Sequence, residues 1–219
     1  MISLAIEAST YTGSVAVIRD GVVIAEGETA MRGEHEERLM PAVAEALRAA
    51  AATPNAIDRV VCGAGPGSFT SLRIAGAIAK GLALTARAPL YPVSSLVLIV
   101  AGARPTLSPG HYVAVLDAMR GDVFAAAFSL TDSAIATLSP TTIVARPDLA
   151  LFAREFAARP IGPAEELVAT PHARGVATIG HLIPWPAAAD IGAWEPEYGR
   201  LAEAQVKWEA AHGRALTPR

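Results

Sequence analysis

The sequence predicts an α/β fold of two lobes, in each of which a mixed β-sheet is flanked by helices. The first part of the chain begins with three strand-like segments and then alternates helix and strand, an order that is typical of a mixed sheet. A hairpin-led pattern starts again after residues 104–110, whose prolines and glycine are typical of a linker. The 219 residues, of which 52% are hydrophobic, are enough to fill two cores. We therefore expect an N-terminal lobe over 1–104 and a smaller C-terminal lobe over 105–219.

The elements of the first lobe follow from hydrophobic periodicity and turn signals. Asp20-Gly21 separates the second strand from the third and predicts a tight hairpin. A helix with one apolar face is expected from about Glu34 to the turn at Thr53-Pro54-Asn55. Strands are predicted over 3–8, 14–19, 22–29, 57–63 and 89–93, and further helices over 69–87 and 94–103.

The second lobe begins with a hairpin, in which strands over 112–117 and 123–130 flank Met119-Arg120-Gly121-Asp122. The restart with a hairpin suggests that one architecture has been duplicated. The stretch 184–198 contains three prolines and is expected to be irregular. Helices are predicted over 148–158, about 172–183 and 199–213.

Charge, cysteine content and hydropathy narrow the function classes. A net charge of −3 does not suit a protein that coats nucleic acid by itself, which needs a clustered basic surface. Cys62 is the one cysteine, so an intramolecular disulfide is excluded and a reducing compartment is favoured. Glu7 interrupts the apolar N-terminal stretch and no apolar run is long enough to span a bilayer. We therefore expect a cytoplasmic protein without a membrane segment.

The glycine loop, Gly65-Pro66-Gly67-Ser68-Phe69-Thr70, lies between a buried strand and a helix. Backbone amides and the positive end of a helix can face an anion in this position. The same residues also fit a tight strand-to-helix turn with a hydroxyl cap, and because the spacing matches neither a P-loop nor a dinucleotide fingerprint, it favours the turn. The candidate anion-binding residues are Gly65, Gly67, Ser68, Thr70 and Arg73.

The helix after the glycine loop has almost no polar face, which places it either inside a core or beneath a partner. Its small residues would let another helix approach closely. An arginine in place of Ala79 is expected to break such an association and to leave the fold intact. Residues of this helix and of the first helix form the predicted partner surface: Leu39, Val43, Leu72, Ala75, Gly76, Ala79 and Ala83.

Glu7 and Asp117 end the first strand of each lobe. In sugar and acetate kinases, acidic residues in such places position a metal–nucleotide complex or act as a base. The glycine-rich segments of such enzymes do not follow here. We therefore expect both carboxylates to bind nearby backbone groups.

Catalytic and metal-binding patterns are incomplete elsewhere in the chain. Ser9, Ser68 and Cys62 lack the elbow motif or adjacent base that would activate a nucleophile. His35 is followed one turn later by Leu39 instead of a second histidine, and the other histidines show no ligand spacing. We expect no catalytic residue, no metal and no cofactor.

Five segments carry a family resemblance through their order along the chain: 4–10, 35–41, 65–74, 117–124 and 196–200. The most specific is Gly-Pro-Gly-Ser-Phe-Thr, followed by Leu72-Arg73-Ile74. Together they resemble the TsaB family of the actin-like ATPase superfamily. The resemblance implies two actin-like, ribonuclease H-like lobes.

The resemblance also implies a non-catalytic subunit of the machinery that makes threonylcarbamoyladenosine in tRNA. Such a subunit supports the catalytic paralogue TsaD, which acts with the ATPase TsaE on the adenosine beside the anticodon. The expected partners are TsaD and TsaE homologues, tRNA through the complex, and a second copy when the chain is alone. An ATP-dependent phosphotransferase or ATPase of the same superfamily is the alternative, and a hydrolase or protease is a third hypothesis.

Three residues depart from the family pattern. Ser71 and Ala75 stand where the family has glycine, and Glu7 stands where it has aspartate. We expect the first two to change how closely a partner helix packs, and the third to weaken a kinase-like role.

Overall fold

The computed structural model describes residues 1–31, 38–199 and 212, and within them the chain forms two five-stranded sheets. The first sheet contains β1 (Ile2–Glu7), β2 (Thr12–Arg19), β3 (Val22–Ala30), β4 (Arg59–Gly63) and β5 (Leu90–Val93). Its order is β3-β2-β1-β4-β5, with β1, β2 and β3 antiparallel and with β4 and β5 parallel to β1. The helices of this part are α1 (Leu39–Ala49), α2 (Phe69–Ala86) and α3 (Ser95–Gly102).

The second sheet repeats this topology. It contains β6 (Gly110–Asp117), β7 (Asp122–Leu130), β8 (Ile135–Ala145), β9 (Arg159–Gly162) and β10 (Leu167–Val168). Its order is β10-β9-β6-β7-β8, again with three antiparallel strands followed by two parallel ones. The helix α4 (Leu149–Glu155) precedes β9, whereas residues 163–166 join β9 to β10 without a helix. The predicted α/β fold of two mixed sheets is confirmed.

Alternating side chains of the sheets divide the core into layers. Leu4 and Ile6 on β1 face the cluster that contains α1 and α2, while Ala5 between them faces α3 and the second sheet. The outer face of the second sheet packs on α4 through Val113 and Leu149. Because α3 lies between the two sheets, all of its residues from Ser95 to Val100 are buried. Within the described residues, no helix is both long and apolar enough to cross a membrane.

The predicted helix over 172–183 is wrong, because the chain forms a 3₁₀ turn over Ala173–Thr178 instead. Gly175 approaches α3 so closely that an ideal Cβ on it would lie 2.9 Å from the backbone nitrogen of Gly102. This packing fixes a tight turn where the apolar composition suggested a helix. The predicted start of the first helix and the predicted helix over 199–213 fall on residues 32–37 and 200–219, which lie outside the described residues except for His212.

Residues 184–198 are irregular, as predicted, yet they are tied to the first sheet. The amide of Ala189 donates to the carbonyl of Leu90 at 2.7 Å, and the amide of Glu197 donates to the carbonyl of Ala64 at 2.7 Å. Trp194 packs against the cluster that contains α1 and α2. The chain therefore returns from the second sheet and covers part of the first.

Candidate functional site

The glycine loop is packed against two other segments of the chain. Gly65 has a φ of +92°, and an ideal Cβ on it would overlap the carbonyl oxygen of Glu197. An ideal Cβ on Gly67 would overlap the carbonyl oxygen of Ser9, to which the amide of Ser68 donates at 2.7 Å. The glycines therefore allow backbone segments to meet, which supports the interpretation of this loop as a tight turn.

The Glu7 carboxylate is buried beneath this loop and accepts hydrogen bonds from two residues. Its Oε1 accepts from the amide of Ser9 at 2.6 Å, and its Oε2 accepts from the Ser95 hydroxyl at 2.8 Å. The Ser95 oxygen in turn accepts from the amide of Gly65 at 3.1 Å. Burial raises the pKa of Glu7, while the hydrogen bonds from Ser9 and Ser95 act in the opposite direction. The carboxylate thus links β1, the glycine loop and α3, and its predicted bond to nearby backbone is confirmed.

Gly63 explains how the chain accommodates glutamate at this position. An ideal Cβ on Gly63 would overlap the Glu7 carboxylate, so the absence of a side chain there leaves room for it. Gly63 ends β4, whose residue Cys62 pairs with Ile6 beside Glu7. The glutamate at position 7 therefore depends on the glycine at position 63.

Asp117 makes the same backbone contact in the second sheet. Its Oδ1 accepts from the amide of Met119 at 2.8 Å, as Glu7 accepts from the residue two positions later. Unlike Glu7, Asp117 is exposed. Met119 and Arg120 at the hairpin tip have left-handed φ values of 63° and 59°. The predicted backbone role of Asp117 is confirmed.

The hydroxyl and thiol groups considered as nucleophiles are either buried or hydrogen-bonded to a neighbouring side chain. Cys62 is fully buried, and burial together with the Glu7 charge raises the pKa of its thiol. Ser9 is 3% exposed, and the Ser68 hydroxyl accepts from the Ser71 hydroxyl at 3.0 Å. Among the described residues, no group of three histidine, cysteine or acidic side chains could hold a metal ion. His35 lies outside them.

The residues predicted to form the partner surface are buried within the chain itself. An ideal Cβ on Gly76 would lie 3.2 Å from Pro196 and 3.6 Å from Trp194, so residues 194–196 occupy the close approach that a partner helix was expected to make. Ala79 is 0% exposed, so an arginine there would enter the core, and its burial argues against the expectation that this substitution spares the fold. The buried set comprises Leu39, Val43, Leu72, Ala75, Gly76, Ala79 and Ala83.

The two departures on α2 also point inward. Ser71 is 3% exposed and donates to Ser68, and Ala75 is fully buried in the first-sheet core. Their side chains therefore change packing within the chain instead of packing against a partner helix.

The exposed stripe of α2 lies on the opposite side of this helix. We define it as Thr70, Arg73, Ala77, Gly81 and Leu84, all of which are exposed. Leu84 is 64% exposed, which is high for a large apolar side chain. At the start of the helix, the ring centroids of Phe69 and Tyr198 are 4.4 Å apart, and the Arg73 guanidinium carbon lies 5.4 Å from the Phe69 centroid.

A cavity of about 1100 Å³ lies between the start of α2 and the tip of the β6–β7 hairpin. Gly67, Ser68 and Thr70 line it, but the other anion candidates, Gly65 and Arg73, do not. Its described lining carries three carboxylates, Asp117, Asp122 and Glu165, and two guanidinium groups, Arg120 and Arg146. Arg146 is already paired with Glu165. With more carboxylates than guanidinium groups, this cavity does not favour a phosphate. The sequence had not indicated Arg146 or Glu165, because both residues lie far from any motif.

Comparison with known proteins decides the family. A model described as TsaD, tRNA N6-adenosine threonylcarbamoyltransferase, matches residues 28–178. The tRNA threonylcarbamoyladenosine biosynthesis protein TsaB of Bacillus subtilis is 31% identical over 95% of this chain and 98% of its own length. The chain belongs to the TsaB family and to the wider group that the TsaD model describes. The resemblance drawn from the five sequence segments is confirmed.

Other relatives agree with this assignment. The protein of the same name from Escherichia coli is 36% identical over 67% of this chain and 63% of its own length. A crystal structure of a Pseudomonas aeruginosa protein, described as uncharacterized and similar to peptidase YeaZ, covers 91% of this chain and 99% of its own, with 24% identity and a TM-score of 0.74. YeaZ from Pseudomonas aeruginosa covers 80% of this chain and 88% of its own, with 24% identity and a TM-score of 0.68. These structures share the fold.

Proposed function

We propose that the chain is a non-catalytic subunit that supports a TsaD-type transferase in forming threonylcarbamoyladenosine in tRNA. The observation that carries the proposal is the match, along 95% of the chain, to a Bacillus subtilis protein named for the biosynthesis of this nucleoside. The site supports it as well. The carboxylate of Glu7 binds Ser9 and Ser95, and the thiol of Cys62 is fully buried, so neither group is free for catalysis.

TsaD and TsaE homologues are the proposed protein partners, in the cytoplasm, and tRNA is engaged through their complex. We place the contact with TsaD, or with a second copy when the chain is alone, on the exposed stripe of α2. Leu84 is 64% exposed there, and Ala77 and Gly81 are exposed small residues that let another helix approach. Because residues 194–196 cover the other side of this helix, the stripe is a face of α2 that stays exposed among the described residues and that a partner could reach.

Depletion of the protein tests its place in tRNA modification. Cells that lack the chain are expected to lose threonylcarbamoyladenosine, measured by mass spectrometry of nucleosides from digested tRNA. A tagged copy of the chain is expected to recover the TsaD homologue on purification. A normal level of the modified nucleoside after depletion would overturn the proposal.

A matched pair of substitutions tests the stripe. Leu84→Arg is expected to abolish co-elution with the TsaD homologue, because it replaces the most exposed large apolar side chain of the contact with a charge. Leu151→Arg is the control, since Leu151 is 62% exposed but lies on α4, on the second sheet. Circular dichroism should show that both variants fold. Co-elution of the Leu84→Arg variant at the wild-type level would place the interface elsewhere.

A further inference from the structure

A cluster of charged side chains joins the end of the second sheet to the edge of the first. Glu26 and Glu28 lie on the edge strand β3. The Arg174 guanidinium donates to Glu26 at 3.0 Å and to Glu28 at 3.2 Å, and Arg104 donates to Glu26 at 2.8 Å. Arg174 belongs to the 3₁₀ turn, so the cluster fastens that turn to β3.

His172 is the buried member of this cluster and is 3% exposed. Its Nδ1 accepts from the amide of Arg174 at 3.0 Å and so caps the 3₁₀ turn. Since Nδ1 acts as an acceptor, the neutral ring carries its hydrogen on Nε2. Nε2 lies 3.0 Å from Glu28 Oε1, although the direction is not that of a good hydrogen bond. The cap therefore requires neutral histidine.

The same turn is held by contacts that do not titrate. The amide of Ala173 donates to the Ser14 hydroxyl on β2 at 3.0 Å. The carbonyl of His172 lies 3.1 Å from where an ideal Cβ of Gly102 would be, at the end of α3. The charged groups beside His172 are thus Glu26 and Glu28 from β3 and Arg174 from the turn, while Ser14 on β2, which holds the next residue, is uncharged. Losing the cap loosens the turn where the second part of the chain returns to the first sheet.

We propose that His172, Arg174, Glu26 and Glu28 form an acid-sensitive clasp, which holds residues 172–178 against the first sheet and opens when the imidazole takes up a proton. Protonation places a hydrogen on Nδ1, where the amide of Arg174 already points its own. The new cation also lies beside the Arg174 guanidinium, at an edge where Arg104 adds a third positive charge. Opening lets the imidazolium reach water.

The size of the effect follows from linkage between protonation and opening. Burial, followed by the charge of Arg174, lowers the pKa of His172 to about 4 in the closed state, although Glu28 and Glu26 act in the opposite direction. In the open state the pKa returns to the ordinary value of 6.5. The open form therefore binds more protons between these values, and opening becomes more favourable as the pH falls below 6.5. From pH 7.5 to pH 5.5 the opening constant should rise about tenfold.

Hydrogen exchange on the full chain tests the clasp. After correction for intrinsic rates, protection of the amides of residues 173–178 is expected to fall about tenfold from pH 7.5 to pH 5.5. Amides of β6 and β7 should keep their protection. His172→Gln retains a neutral acceptor and should remove the pH dependence, whereas His111→Gln, at an exposed histidine on β6, should leave it unchanged.

Three results would overturn the clasp. One is protection of residues 173–178 that does not change with pH in the wild-type chain. A second is an equal loss of protection in β6 and β7, which would indicate global unfolding. The third is an undiminished pH dependence in the His172→Gln variant. If that variant fails to fold, nuclear magnetic resonance of the His172 ring in the wild-type chain decides the matter: titration near pH 6.5 in the closed state would contradict the proposal.

Discussion

Ser95→Ala is the substitution that most sharply tests the network beneath the glycine loop. Ser95 is 0% exposed, and its hydroxyl donates to Glu7 at 2.8 Å and accepts from the amide of Gly65 at 3.1 Å. Alanine leaves both of these buried groups without their partner. An unsatisfied buried group costs about 1–3 kcal/mol, and more when it is charged, so the free energy of unfolding should fall by about 2–5 kcal/mol.

Urea denaturation followed by circular dichroism measures this loss. With a slope of roughly 2–3 kcal/mol per molar urea, the midpoint should fall by about 1–2 M. Ser3→Ala is the matched control, because Ser3 lies on β1 with Glu7, is 7% exposed, and has no hydrogen bond from its hydroxyl within the described residues. It should cost less than about 1 kcal/mol. Equal costs for the two substitutions would refute the network as a source of stability.

Four further predictions concern the residues around this network. Gly63→Ala should destabilise the chain by roughly 2–4 kcal/mol in urea denaturation, because the alanine Cβ overlaps the Glu7 carboxylate. Adding Glu7→Asp should recover much of that loss, and additive costs of the two substitutions would contradict the dependence of Glu7 on Gly63. Ala79→Arg should yield insoluble or unfolded protein, since the site is 0% exposed, and a well-folded variant by circular dichroism would refute this. Cys62 should react with a thiol reagent only after unfolding, and rapid labelling of the native chain would disprove its burial. Burial raises the pKa of Glu7 above 4.5, so the folded chain holds this proton more tightly than the unfolded chain does, and the free energy of unfolding should decline as the pH rises from 4.5 through the raised pKa. Glu7→Gln should flatten that part of the pH–stability curve. An unchanged curve would contradict the raised pKa of Glu7.

The elements of the first sheet could be predicted because each has a strong local pattern. β1 alternates Leu4 and Ile6 with Ala5 across two faces, and Asp20-Gly21 marks the turn between β2 and β3. β8 was not predicted, because it is an edge strand whose residues are mostly exposed and include Pro140. Its sequence therefore lacks the period of a half-buried strand.

The path of residues 184–198 explains why the burial of the predicted partner surface could not be foreseen from the sequence. An all-apolar helix indicates that α2 is covered, but it does not indicate what covers it. Here Pro196 and Trp194 lie over Gly76, a contact between distant parts of the chain. The exposed stripe could be recognised only after this contact was known, since Ala77, Gly81 and Leu84 are as apolar as the buried side.

The network beneath the glycine loop could be predicted only in part, because the sequence shows motifs within one segment but not contacts between segments. The glycine loop, Glu7 and Asp117 belong to motifs, and their preference for backbone contacts could be inferred from the missing partner motifs. The link from Glu7 to Ser95 joins residues on β1 and α3, and no pattern within one segment indicates it. His172 likewise lies beside Glu28 on β3, which only the fold brings near.

Reconstitution of tRNA modification shows whether the chain supports a TsaD-type transferase. Threonylcarbamoyladenosine formation on unmodified tRNA would be measured with purified TsaD and TsaE homologues, the threonylcarbamoyl adenylate donor and this chain. The wild-type chain and the Leu151→Arg variant are expected to raise the rate strongly, the Leu84→Arg variant to fail, and the chain without TsaD to produce none. Product formed by this chain alone, or an equal rate with and without it, would contradict the proposed role of a non-catalytic subunit.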